Sequence, residues 1–249
     1  MELKNLIASG ENVDVYRDGN MTVKVFKENQ PKTAAMYEAL THSRVETTGL
    51  PIPIIHEIKV VEGKWAIAMD HIEGENLYEI MKKDTQNMNK YVNEMVDIQL
   101  EIHSKSAPLL SKLKDKMVRQ IKSLDSIDEV KRYEMLTRLE SMPKHTKLCH
   151  GNFTPQNIII DKNGKTFIVD WVAARQGNAS ADVGKTYLML CLEFPEAAEL
   201  YLDIFCKKSG TKKKYVQAWL PIVAAAQLTF NKPEEKELLM KWIDVVDYE

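Results

Sequence analysis

The sequence predicts an α+β chain in two parts: a small strand-rich part over residues 1–72, and a larger helical part over residues 73–249 that takes in one hairpin. Three observations carry this. Alternating runs separated by turn signals read as strands around one helix in the first seventy or so positions, and apolar residues at helical spacing dominate afterwards. The stretch NIIIDKNGKTFIVDW then interrupts the helical texture with two short β-branched runs.

In the first part, VDVYR alternates from Val13, Asp18 and Gly19 offer a tight turn, and MTVKVF returns as a second strand with Lys24 in its middle. Pro31 suits the first turn of a helix and Gly49 its stop, so the helix between them carries Glu38 about halfway along. PIPIIHEIKVV and KWAIAMDHI form another hairpin, across Glu62 and Gly63. After HIEGENL, the segment MNKYVNEMVDIQLEIHS sets Tyr91, Met95, Ile98 and Ile102 on one stripe, the mark of a scaffold helix. Helices are also expected around ADVGKTYLMLCLEF, EAAELYLDIFC, YVQAWLPIVAAAQLTF and KPEEKELLMKWIDVV. The lysine-rich CKKSGTKKKY among them reads as a solvated loop, with an anion contact as the alternative.

Composition narrows the classes. With 44% hydrophobic and 28% charged residues the chain can build a sizeable core, and a net charge of -2 gives no basic field that would gather nucleic acid or anionic lipid. Three scattered cysteines, Cys149, Cys191 and Cys206, form neither a disulfide framework nor a CxxC metal knuckle. The N-terminus lacks the apolar run of a signal peptide, and WLPIVAAAQL is too short to span a bilayer, so a soluble cytoplasmic chain is expected.

A mid-strand lysine, a helical glutamate and a later hairpin are parts that phosphoryl transfer can use, because that reaction needs phosphates cradled, metal held and a hydroxyl oriented. Asn157 opens the hairpin and Asp170 closes it, so pairing across DKNG lets both face one magnesium ion. Taken singly, each has an ordinary structural reading, as a strand-start amide and a turn carboxylate.

HGNFTPQNIII followed by FIVDW resembles the HGDxxxxN and IDW motifs of the aminoglycoside phosphotransferase and choline kinase families, which share the bilobal protein-kinase-like fold. ADVGKTYLML resembles the stretch in which those families keep an aspartate that ties down the catalytic loop. The resemblance implies a phosphotransferase using ATP, or another nucleoside triphosphate, and magnesium on a small hydroxylated substrate. It implies that Lys24 contacts the phosphates and pairs with Glu38, and that Met69, Asp70 and Ile72 belong to a linker whose backbone reads the base. Asn157 and Asp170 would hold metal, His150 would brace the catalytic loop, and Asp182 would accept hydrogen bonds from it. The glycine-rich loop is thin: SGENVDVYRDG offers Gly10 and no GxGxxG pattern, so the turn Ser9, Gly10, Glu11 and Asn12 is what would face phosphate, through its backbone amides.

Two departures stand out. Asn152 occupies the position of the aspartate that accepts the hydroxyl proton in those families, and an amide has no useful basicity. Asn152 is then an experimental substitution, a natural change in a slow kinase, or the mark of a nucleotide-binding module without transfer. RQGNASAD and Val172 also replace the usual GD and the acidic residue after IDW, which disfavours a polycationic substrate.

Overall fold

The structure, a computed structural model, describes residues 5–245. Strands β1 (Asn5–Ser9), β2 (Val13–Asp18), β3 (Met21–Phe26), β4 (Ile55–Val61) and β5 (Lys64–Asp70) form one antiparallel sheet in the order β1-β2-β3-β5-β4, with helix α1 (Lys32–Glu46) between β3 and β4. The β2–β3 turn falls on Gly19 and Asn20, one residue later than expected, because Asp18 still pairs with Met21. Gly19 takes φ 60°, as the first central position of a tight hairpin turn asks. Glu62 and Gly63, both at positive φ, close β4–β5 as predicted.

Period two decides which side chains meet α1. On β3, Val23 and Val25 join Val61, Ala66 and Ala68 on one face, whereas Phe26 joins Ile67 and Met69 against Ala35 and Ala39 of α1. Lys24 is two residues from Phe26 and therefore points to the α1 face. Helix α1 buries Ala35, Glu38, Ala39 and His42, a stripe at i, i+3, i+4 and i+7 in which Glu38 is the one acidic member.

Next come β6 (Gly74–Asn76), α2 (Leu77–Lys83), α3 (Met88–Ser104), α4 (Leu113–Lys122), α5 (Glu129–Ser141) and β7 (Lys147–Cys149). They are followed by β8 (Ile158–Asp161), β9 (Thr166–Ile168), β10 (Arg175–Gly177), α6 (Ala179–Glu193), α7 (Pro195–Ser209), α8 (Lys213–Gln217), α9 (Leu220–Leu228) and α10 (Pro233–Ile243). The expected hairpin is β8–β9, and β6, not foreseen within the linker, pairs with β8 as a third strand. YVQAWLPIVAAAQLTF is two helices, because Pro221 sits in the first turn of α9 and begins a new one. Val246, the end of the last predicted helix, lies outside the described residues.

Two compact units result. The first comprises the chain up to Ile80 together with Pro155–Ala174, so the β8–β9 hairpin groups with the five-stranded sheet. Within it Ile168 N–H donates to Pro51 O at 2.9 Å, and the turn Trp171–Ala173 packs on α1. The second unit, Met81–Thr154 with the chain from Arg175, is helical, and every residue of α9 is buried at its centre. No helix among the described residues is long and apolar enough to cross a membrane.

Candidate active site

In the first unit, Lys24 Nζ stands 2.6 Å from Glu38 Oε1 and 2.9 Å from Asp170 Oδ1. Burial opposes a charge on Lys24, but Asp170 and Glu38 together outweigh it and hold the ammonium above the ordinary lysine range. Glu38 is only 8% exposed and Asp170 32%, so one carboxylate anchors the lysine while the other stays within reach of solvent. The cluster contains one cation and two anions.

The hairpin sets the metal candidates side by side. Pairing of Ile158 with Ile168 continues through Val169 N–H, which donates to Asn157 O at 3.0 Å, and Asp170 is the next residue. Asp170 itself adopts φ 64° and ψ 60°, a left-handed conformation that an aspartate tolerates at some cost.

These groups open on a cavity of about 1060 Å³ lined wholly by first-unit residues. Lys24, Glu38, Asn157 and Asp170 lie on its wall, as do Gly10, Met69, Asp70 and Ile72. Met69 is buried in the α1-facing core. The Asp70 carboxylate accepts from Ile54 N–H at 3.0 Å and from His56 Nε2 at 2.6 Å, and Asp70 N–H donates to Ile54 O at 3.0 Å. Burial opposes ionisation there, yet those two donors keep its carboxyl below the usual range. Gly10 N–H is spent on Val13 O at 2.8 Å and Ser9 Oγ on Asp14 at 2.6 Å, which leaves the Glu11 and Asn12 amides as what this turn can present. Val172 lines the same cavity.

In the second unit, β7 pairs antiparallel with β10, Cys149 opposite Arg175. That ribbon delivers the loop beginning at His150 to the start of α6, where Asp182 sits in the first turn. Asp182 accepts from Gly151 N–H at 2.7 Å, from His150 N–H at 3.1 Å and from His103 Nε2 at 3.0 Å. Burial raises its carboxyl, but His103, His150 and Gly151 overcome this and hold it low. His150 Nδ1 in turn accepts from Asn152 N–H at 3.2 Å.

His103, Cys149 and Asp182 lie within 4.8 Å of one another, a spacing a metal could use. Burial and the neighbouring Asp182 push the Cys149 thiol well up, so it stays protonated, and Asp182 already accepts from Gly151, His150, His103 and Gln99.

Asn178, one of the departures in RQGNASAD, caps α6: its Oδ1 accepts from Ser180 N–H at 2.9 Å and its Nδ2 donates to Tyr215 OH at 2.6 Å. At the preceding Gly177 an added Cβ would come within 2.6 Å of Leu113 Cβ. Three residues around the loop were missed. Gln99 and His103 lie four apart on the buried face of α3, next to the predicted Tyr91–Ile102 stripe, and two polar residues on a buried helical face were the available signal. Lys185, which donates to Gly151 O at 2.7 Å, was visible only as the one basic residue of an apolar helix.

A family model described as the phosphotransferase enzyme family matches residues 5–206. No curated protein sequence matches the chain. Solved structures do. A thermostable mutant of aminoglycoside phosphotransferase APH(4)-Ia, in a ternary complex with ADP and hygromycin B, has a TM-score of 0.69 at 14% identity, covering 96% of this chain and 89% of that one. A choline/ethanolamine kinase family protein from Mesorhizobium loti has a TM-score of 0.65 at 13% identity, covering 99% and 89%. The streptomycin–ATP–APH(2")-IIa complex has a TM-score of 0.60 at 19% identity, covering 98% and 90%. At these identities the likeness shows the fold, which is protein-kinase-like.

Proposed function

Because the chain belongs to the phosphotransferase enzyme family, we propose that it transfers the terminal phosphoryl group of ATP, or of another nucleoside triphosphate, to a hydroxyl of a small molecule. The Lys24–Glu38–Asp170 cluster at the wall of a large cavity carries this reading. An ammonium kept charged and fixed by two carboxylates is pre-positioned for phosphate oxygens. The strand end at Met69–Ile72 would meet the base, with Met69 at the back.

Asn157 and Asp170 fit magnesium: both are hard oxygen donors, the hairpin register brings them together, and the cluster of two carboxylates and one ammonium has charge to spare for a cation. The ion would neutralise charge gathering on the phosphoryl oxygens. His150 and Asp182 would keep the loop in shape without touching the reacting atoms. Asn152 would orient the acceptor hydroxyl by hydrogen bond. The acceptor oxygen bonds to phosphorus as the bond to the nucleotide's leaving oxygen breaks, and the hydroxyl proton passes to the transferred phosphoryl group or to water. The setting would be cytoplasmic, where the three free cysteines stay reduced.

Calorimetry of ATP with and without magnesium tests the first step, and undetectable magnesium-dependent binding sinks the proposal. Asn152 favours a second reading, a module that binds nucleotide without transferring phosphate. Turnover in the parent and in Asn152→Asp separates the two: a gain of roughly 100-fold to 10,000-fold identifies a missing base. No turnover in either chain favours the module.

A further inference from the structure

We propose that a small pocket beside the catalytic loop, between Lys116 and Lys185, holds an anionic group of the acceptor, so that the substrate is a hydroxylated acid with a carboxylate or phosphate handle. This rests on the phosphotransferase reading and names its substrate class. The pocket lies wholly in the second unit and is walled by Lys116 of α4, Gly151 of the loop, Asp182 and Lys185 of α6, and Phe230.

Two ammonium groups from different helices converge there on one aromatic ring. Lys116 Nζ is 6.0 Å and Lys185 Nζ 5.7 Å from the Phe230 centroid, and that ring is 51% exposed at the pocket's rim. Lys185 also donates to Gly151 O at 2.7 Å, which fixes its charge next to the residue that precedes Asn152. The one carboxylate lining the pocket is Asp182, whose oxygens already accept from His150, Gly151 and His103. No described carboxylate forms an ion pair with Lys116.

The local field therefore stays positive. Burial, then Lys185 and Arg175, push the Lys116 ammonium down to about 7, and a bound anion would relieve that repulsion. The cavity measures about 30 Å³, which suits one small oxyanion and not a sugar ring. The rest of the acceptor would lie outside, past Phe230. A polycation would set its own ammonium against Lys116, consistent with Val172 and Asn178 standing where acidic residues were expected.

Matched probes test this on the full chain by calorimetry: D-gluconate against D-sorbitol for a carboxylate, and D-glucose 6-phosphate against D-glucose for a phosphate. At least one acid is expected to bind ten-fold or more tightly than its neutral partner. Lys116→Met should reduce that preference at least five-fold and Lys116→Arg should keep it, with thermal unfolding confirming that both variants fold. Equal or undetectable binding within both pairs, or a preference indifferent to Lys116→Met, overturns the proposal. Magnesium-dependent ATP binding by the same preparations distinguishes the two failures. Acid preference without nucleotide binding leaves the anion site and removes the kinase reading, and nucleotide binding without acid preference does the reverse.

Discussion

Lys24 and Lys116 are both withdrawn from water, and their ammonium groups shift in opposite directions. Burial disfavours the charge on each. What differs is the company: Lys24 sits against Glu38 and Asp170, Lys116 against Lys185 and Arg175. Desolvation sets a common penalty, and the neighbours decide whether it is overcome or deepened. The first unit's cavity thus keeps a surplus of carboxylate suited to a cation, whereas the second unit's pocket keeps a surplus of ammonium suited to an anion.

The contrast is most directly broken by removing each charge while keeping its aliphatic stem. Lys24→Met strands the buried Glu38 and is expected to destabilise by about 3–5 kcal/mol, the range for a buried pair that loses one partner. Lys116→Met removes a charge that no described carboxylate pairs with and should be neutral or stabilising by up to about 1 kcal/mol. Urea unfolding of the two variants measures this, and equal losses would mean that the company of each lysine does not matter.

The carboxylates sharpen the same comparison at smaller scale. Asp182→Asn puts an amide where a buried anion accepts from two loop N–H groups and His103, and should cost about 2–3 kcal/mol of stability. Asp170→Gly should change stability by less than about 1 kcal/mol, because glycine relieves the left-handed backbone that the aspartate holds at φ 64°. Under the proposed function it nevertheless abolishes magnesium-dependent ATP binding. Thermal unfolding and calorimetry on one preparation show whether the two properties separate.

What was legible in the sequence follows the same division. Lys24, Glu38, Asn157 and Asp170 could be named because period two along β3, a helix bracketed by Pro31 and Gly49, and the DKNG hairpin are local signals, and local geometry carried them to one cavity wall. The contacts around Asp182 span 31 to 83 residues of chain, so the roles of Gln99 and His103 depended on packing of α3 that no local pattern records. The predicted helix stripe is too narrow for the same reason, and its member Ile98 is only half-buried. Val92, Val96, Gln99 and His103 are buried beside Tyr91, Met95 and Ile102 because α3 meets β7 as well as α7. Strands β1, β6, β7 and β10 escaped notice because most are only three residues long, and β1 is exposed throughout. The Lys116–Lys185 pair was invisible, since Lys116 is one of several lysines in a charged helix and Lys185 is the one basic residue of an apolar helix, and no local pattern brings the two together.

The smallest effect concerns pH. The folded-state pKa of Lys116, about 7, lies below its ordinary 10.5, so between those values the unfolded chain binds more protons than the folded one and stability rises with pH. Lys24 has the opposite sign: its raised pKa gives a contribution complete below its ordinary 10.5 and lost only in stronger alkali, so it stays constant across this window. The charged groups acting on Lys116 are Lys185, Arg175, Arg119 and Asp182. Groups common to the parent and Lys116→Met cancel when their urea stabilities are compared at pH 6.5, 7.5, 8.5 and 9.5. The parent should gain on the order of 1 kcal/mol relative to the variant as pH rises. Parallel profiles would mean that Lys116 keeps an ordinary pKa in the folded chain, and the second unit's pocket would then be two solvated lysines without a field to offer an anion.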